Sequence, residues 1–148
     1  MKLLITGGHL SPALALIEEL QKTKKEISIV FVGRKYPLDR ERTLSLEYKE
    51  INKKNLTFIS IEAGRLTRAI SVSSLISIVK IPLGFVQAFF IINKQRPDLL
   101  MSFGGYLALP IVFWGYVFRI PIFTHEQTIR PGLANRLIGF FSKKIFVA

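Results

Sequence analysis

A chain of 148 residues, 49% hydrophobic and 21% charged, is long enough for one domain with its own core and too apolar to be disordered. It has no cysteine, which excludes disulfides and thiolate metal sites. Its two histidines lack the clustered carboxylates of a zinc site, and its net charge of +11 sits on a chain with no metal and no cofactor expected.

The run Lys2–Thr6 reads as a buried parallel strand. It is too short for the core of a signal peptide, so export is not expected. Thr6-Gly7-Gly8-His9 follows, and a helical pattern over residues 10–20 starts at once. Pro12 suits the first turn, and Leu14, Leu16, Ile17 and Leu20 share one face, with Glu18 and Glu19 turned to water. Two glycines let backbone N–H groups approach a ligand closely, and a helix N-terminus offers unpaired donors to an anion such as phosphate. A histidine there can move a proton, because histidine changes charge near neutral pH. A tight βα turn with a surface histidine fits the same four residues equally well.

Residues 22–25 form a polar connection, and 27–32 a second strand closed by Gly33. Residues 37–49 are charged and weakly amphipathic, which predicts a short helix over the sheet. Residues 56–61 make a third strand. Residues 64–71 read as a loop that carries Arg65 and Arg68 with no acid among them. The apolar stretch 72–92 has Lys80 as its only charge, and its length alone would permit a membrane span. Pro82 and Gly84 interrupt it, serines at 71, 73, 74 and 77 crowd its start, and Lys80 lies near its centre. These features favour a helix that packs on the sheet or touches a bilayer, kinked at Pro82.

Leu99–Ser102 is a fourth strand, followed by a second glycine turn, Gly104-Gly105-Tyr106. Residues 107–118 form an almost wholly apolar helix, and 121–124 a fifth strand that runs into His125-Glu126-Gln127. Residues 131–141 read as a helix with Asn135 and Arg136 facing out, and Lys144–Val147 as a sixth strand. This alternation implies an α/β, Rossmann-like parallel sheet with helices on both faces. Ligands of such sheets bind beyond the carboxyl ends of the strands, where all three polar loops fall. A chain that ends on a strand reads as the first half of something larger, or as one subunit of a two-piece protein.

Beyond Glu62 the only acids are Asp98 and Glu126, while basic residues continue to Lys144. A basic and greasy chain points to an anionic membrane surface or lipid ligand. Nucleic acid is disfavoured, because no Lys/Arg stripe is interleaved with aromatics. Scarcity favours a functional Glu126, although a carboxylate at a helix start also complements the dipole. His125 reads as structural and hydrogen-bonded at a strand end. Tyr106 fits packing as well as function. Trp114, Phe85, Phe89 and Phe90 read as core or lipid-facing.

The ordered set Thr6-Gly7-Gly8-His9, Pro12-Ala13-Leu14-Ala15, Pro97-Asp98, Gly104-Gly105-Tyr106, Ile120-Pro121, His125-Glu126-Gln127 and Gly132-Leu133-Ala134-Asn135 resembles the N-terminal domain of the MurG family of glycosyltransferases, from the first strand to the last residue. The resemblance implies the GT-B architecture, two Rossmann-like domains facing a cleft. It implies transfer of N-acetylglucosamine from UDP-N-acetylglucosamine to a lipid-linked muramyl-pentapeptide diphosphate, with inversion, in peptidoglycan synthesis. Residues 1–148 would be the acceptor-binding half, peripheral at the cytoplasmic face of the membrane. The donor-binding C-terminal domain would be absent, either fused or separate, and this half alone inactive.

In the family's terms His9 is the candidate general base and Glu126 joins it as catalytic. Thr6, Gly7, Gly8 and Thr128 fall on the donor side. Gly104, Gly105, Tyr106 and Gln127 fall on the acceptor side, and Arg65, Arg68 and Lys80 meet lipid head groups. Two departures stand out. The family opens with a longer glycine run, so the turn here is shortened, and Thr128 stands where the family has an asparagine that contacts the nucleotide sugar. A second reading is a non-catalytic membrane anchor for a separate sugar-transferase chain. A third, a dinucleotide-binding module, needs an acid at the end of the second strand, where Val32-Gly33-Arg34-Lys35 has none.

Overall fold

Strand and helix alternate through the chain in the computed structural model, which describes residues 1–23, 26–37, 43–62 and 72–147, with the backbone alone for 72–80. The elements are β1 (Lys2–Thr6), α1 (Leu10–Lys22), β2 (Ser28–Gly33), α2 (Leu46–Lys53), β3 (Thr57–Ser60), α3 (Val72–Gln95), β4 (Leu99–Ser102), α4 (Ala108–Val117), β5 (Ile122–Glu126), α5 (Leu133–Phe141) and β6 (Lys144–Val147). The strands form one parallel sheet of order β3-β2-β1-β4-β5-β6. The chain therefore moves outward one way from β1, crosses back through α3, and moves outward the other way from β4. The switch lies between β1 and β4, where connections diverge and leave a crevice.

Side chains alternate across each strand, so both faces of the central strands need cover. Leu3, Ile5, Ile29, Phe31 and Met101 pack against Ala13 and Ile17 of α1 and Ile51 of α2. Leu4, Val32, Leu100 and Ile122 face the other way, onto Ala88 and Ile92 of α3, Ala108, Ile111 and Val112 of α4, and Ile138 of α5. At the amino-terminal edge the Lys2 N–H donates to Asp98 Oδ2 at 2.6 Å and its Nζ to the Gln95 carbonyl at 2.8 Å, which joins the starts of β1 and β4.

The structure departs from the sequence reading chiefly at two boundaries and one side chain. α2 starts at Leu46, because Ser45 caps it: the Ser45 hydroxyl accepts the Tyr48 N–H and donates to the Arg34 carbonyl. Residues 38–42 of the expected helix lie outside the described residues. β5 runs on through His125 and Glu126, because β6 pairs with both, His125 with Phe146 and Glu126 with Val147. Asn135 does not face out with Arg136. It is half-buried and bonded to two strand-end loops.

α3 continues on both sides of Pro82 as one helix, and no described helix is long and apolar enough to cross a membrane. Its seam with α4 is aromatic: the Trp114 indole N–H donates to the Phe85 carbonyl at 2.8 Å, and Phe89 meets Trp114 edge-on at 4.9 Å. Leu83, Val86 and Phe90 of α3 remain exposed, as do Tyr116, Val117 and Phe118 at the end of α4. Arg65 and Arg68, with the loop expected at 64–71, lie outside the described residues, and of Lys80 only the backbone, within α3, is described.

Burial ranks the positions. Phe31 is fully enclosed, whereas Val147 on the edge strand β6 is 78% exposed. Phe31→Ala is expected to cost about 3–5 kcal/mol in urea unfolding, through lost contacts and a cavity. Val147→Ala should change stability by less than about 0.5 kcal/mol.

Candidate functional site

β1, β4 and β5 end at one edge of the sheet, and the turns that leave them meet there. After β1, the Gly7 N–H donates to the Val32 carbonyl at 2.7 Å and ties the turn to β2. Gly8, at φ +154°, lies against the β4–α4 turn so closely that a Cβ would stand 2.6 Å from the Phe103 carbonyl oxygen. Only glycine fits such an approach. His9 is the N-cap residue of α1, in extended conformation, and its side chain makes no capping bond. The imidazole is not spent on the helix.

Gly104 and Gly105 adopt φ +77° and +81°, a region other residues avoid. That geometry presents the Gly105 N–H to Asn135 Oδ1 at 2.7 Å. Asn135 Nδ2 in turn donates to Glu126 Oε2 at 2.7 Å. The other carboxylate oxygen, Oε1, accepts from the Thr128 N–H at 2.9 Å and from the Thr128 hydroxyl at 2.5 Å. Burial pushes the Glu126 carboxyl up. The hydrogen bonds from Thr128 and Asn135 outweigh it, the nearby His9 imidazole adds to them, and the group is held below the usual carboxylate range. His9 and Glu126, 117 positions apart in the sequence, therefore lie within electrostatic reach.

The structure brings most of the sequence-derived residues together. Gly8, His9, Gly104, Gly105, Glu126 and Thr128 share this edge. Tyr106 is half-buried, rests on the core beneath α4, and has the Arg34 guanidinium 5.1 Å over its ring. Gln127 is exposed. Thr6 is buried at the end of β1, and its hydroxyl, like His125 Nδ1, finds no hydrogen-bond partner among the described residues. His125 is thus not held at Nδ1 by the hydrogen bond expected of it. Its ring lies 5.8 Å from that of Phe103 instead.

Two residues escaped the sequence reading. Asn135, expected to face solvent, is the bridge between the Gly105 turn and Glu126. The available signal was a lone amide in the first turn of an apolar helix. Glu47 belongs to α2, and its Oε1 accepts the Gly8 N–H at 3.3 Å while Oε2 accepts the Arg34 N–H at 3.4 Å. The acid missing from the end of β2 in sequence is supplied there in space. It faces the turn's own N–H groups rather than standing ready for a ribose. Burial pushes the Glu47 carboxyl up, against the pull of those two N–H groups and the Arg34 charge.

A parallel sheet of this order, with glycine turns, a histidine and a carboxylate gathered at its strand ends, defines a Rossmann-like domain of the kind found in GT-B glycosyltransferases. The chain belongs to the glycosyltransferase family 28 N-terminal domain, whose model matches residues 6–147. It is 36% identical over 143 residues to the UDP-N-acetylglucosamine–N-acetylmuramyl-(pentapeptide) pyrophosphoryl-undecaprenol N-acetylglucosamine transferase of Treponema denticola, covering 97% of this chain and 36% of that protein. The enzyme of the same name from Clostridium kluyveri is 33% identical over 150 residues, covering 99% of this chain and 40% of its own length. Among solved structures, MurG of Acinetobacter baumannii superposes with a TM-score of 0.71 at 20% identity, over 99% of this chain and 41% of that one. A UDP-GlcNAc 2-epimerase from Neisseria meningitidis gives 0.64 at 16% identity, over 97% and 39%. These two likenesses bear on the fold alone. The chain thus spans 36–40% of the length of the two transferases it matches.

Asn135→Ala leaves the Gly105 N–H and one Glu126 oxygen without their partner, and is expected to cost about 1–3 kcal/mol at neutral pH. The lowered folded-state pKa of Glu126 stabilises the fold above the unfolded-state pKa, and that contribution is lost as pH falls through the folded-state pKa. Urea unfolding at a series of pH values should therefore show the deficit of Asn135→Ala narrowing toward acid.

Proposed function

We propose that this chain is the acceptor-facing half of an inverting transferase that moves N-acetylglucosamine from UDP-N-acetylglucosamine to a lipid-linked muramyl-pentapeptide diphosphate, in peptidoglycan synthesis. A donor-binding domain, fused or separate, supplies the other wall of the cleft. What supports the reading is the family, the reaction named for its relatives, and one observation above all: an unspent imidazole at the switch point, within electrostatic reach of a well-bonded carboxylate.

The chemistry follows from those groups. The acceptor hydroxyl attacks the anomeric carbon of the donor sugar, a new C–O bond forms, and the bond to the UDP oxygen breaks with inversion. His9 takes the hydroxyl proton as attack proceeds. Glu126 stabilises the imidazolium that results, while Asn135 and Thr128 hold the carboxylate in place. The leaving diphosphate gathers charge, which the unpaired N–H groups in the first turn of α1 offset. Gly104, Gly105, Tyr106 and Gln127 fall on the acceptor side, and Gly8 and Thr128 on the donor side, with the buried Thr6 and Gly7 behind them.

The exposed apolar residues of α3 and α4 suit the surface of the membrane that carries such an acceptor, at its cytoplasmic face. Phe89 links Phe90 at 5.5 Å to Phe118 at 6.0 Å, so the two helices present one aromatic surface. The chain's net charge of +11 favours anionic head groups, with Arg65, Arg68 and Lys80 among the contributors.

In the complete two-domain protein, His9→Ala is expected to lower kcat by about 10²–10⁴-fold with KM for either substrate little changed, and unaltered turnover would overturn the base assignment. The paired substitution Leu83→Ser and Phe90→Ser should weaken co-sedimentation of the chain with phosphatidylglycerol vesicles by about tenfold or more, with the fold retained by circular dichroism.

A further inference from the structure

The β1–α1 turn already holds an anion, and the anion belongs to the protein. Glu47, in the first turn of α2, sends its carboxylate between the ends of β1 and β2, where it accepts the Gly8 and Arg34 N–H groups. It also fills the space beside two glycines. A Cβ on Gly7 would stand 2.6 Å from Oε1, and one on Gly33 2.8 Å from Oε2. The bare backbones at 7 and 33 make room for this carboxylate, not for a ligand. α2 is strapped in place to deliver it: the Ser45 hydroxyl bonds to the Arg34 carbonyl, and the Ser45 N–H to the Lys35 carbonyl at 2.8 Å.

We propose that Glu47 is a resident counter-anion that closes the β2 flank of the β1–α1 turn to small phosphate-type anions. A phosphate oxygen arriving beside Gly8 from the β2 side would find its donor taken and a like charge at contact distance. Glu47 thereby acts on specificity: it removes from the turn the generic affinity for phosphate and pyrophosphate that glycine turns at helix starts otherwise have. The inference goes beyond sugar transfer, since inorganic pyrophosphate tests it without any transfer taking place.

The experiment is a titration of the 148-residue chain with inorganic pyrophosphate, followed by the amide signals of Gly8 and Arg34 in nitrogen-15 NMR. In the wild-type chain both signals hold their positions up to about 1 mM. In Glu47→Gln both move, with an apparent affinity tighter by about tenfold or more. Glu50→Gln is the control, since it makes the same change in net charge on the same helix, where Glu50 pairs with Lys53 at 2.6 Å. It should leave the two signals unmoved. Movement of both signals in the wild-type chain overturns the proposal, as does an equal response in the two variants or a folded Glu47→Gln chain that gains nothing. Should Glu47→Gln fail to fold, Glu47→Asp decides: the shorter carboxylate withdraws from Gly8, so pyrophosphate must reach that amide, and a turn that stays closed overturns the proposal.

Discussion

The contact on which the rest of the edge depends is backbone against backbone: Gly8 seated on the carbonyl oxygens of Phe103 and Gly104. β1 and β4 are neighbours, but the chain leaves them toward opposite faces of the sheet. Nothing in the register obliges the turns that follow to touch. The bare backbone at Gly8 lets the turns close on each other, which brings the start of α1 to the β4–α4 turn. A Cβ on Gly8 would stand 2.6 Å from the Phe103 carbonyl oxygen, so a side chain there would push the two loops apart.

Two carboxylates then border the closed edge, and their environments differ in kind. Glu126 receives short bonds from a backbone N–H, a hydroxyl and an amide, which hold its carboxylate in the ionised form. Glu47 has two longer bonds and more burial, so its charge is less well supported. The first is a charge well supplied with donors, and the second a filler of space that takes the donors of the turn. Their opposite shifts follow from how many good donors each one meets.

The outer surface has a logic of its own. The faces of α3 and α4 that cover the sheet are continuous with an aromatic seam around Trp114, and apolar residues go on past it to the exposed side. Burial against the sheet accounts for the inner residues and leaves Leu83, Val86 and Phe90 unexplained by packing. The membrane-surface contact proposed above would account for both sets.

Much of this was legible in the order of residues. Strand and helix periodicity, and the glycines after β1 and β4, follow from local physics that operates over a few neighbours: alternation, capping and φ preference. Lys2–Thr6, Leu99–Ser102 and Lys144–Val147 coincide with the expected strands for that reason. Where the reading missed, the deciding partner was remote. β5 extends because β6 pairs with its end, and α2 starts late because Ser45 answers to Arg34. Asn135 turns inward because Gly105, thirty positions earlier, offers it an N–H. The sequence by itself determined that this is a parallel α/β domain with a histidine-bearing glycine turn. Only the tertiary structure decided which donors that turn has left and which carboxylate takes them, because hydrogen bonds between loops depend on distances that no local pattern encodes.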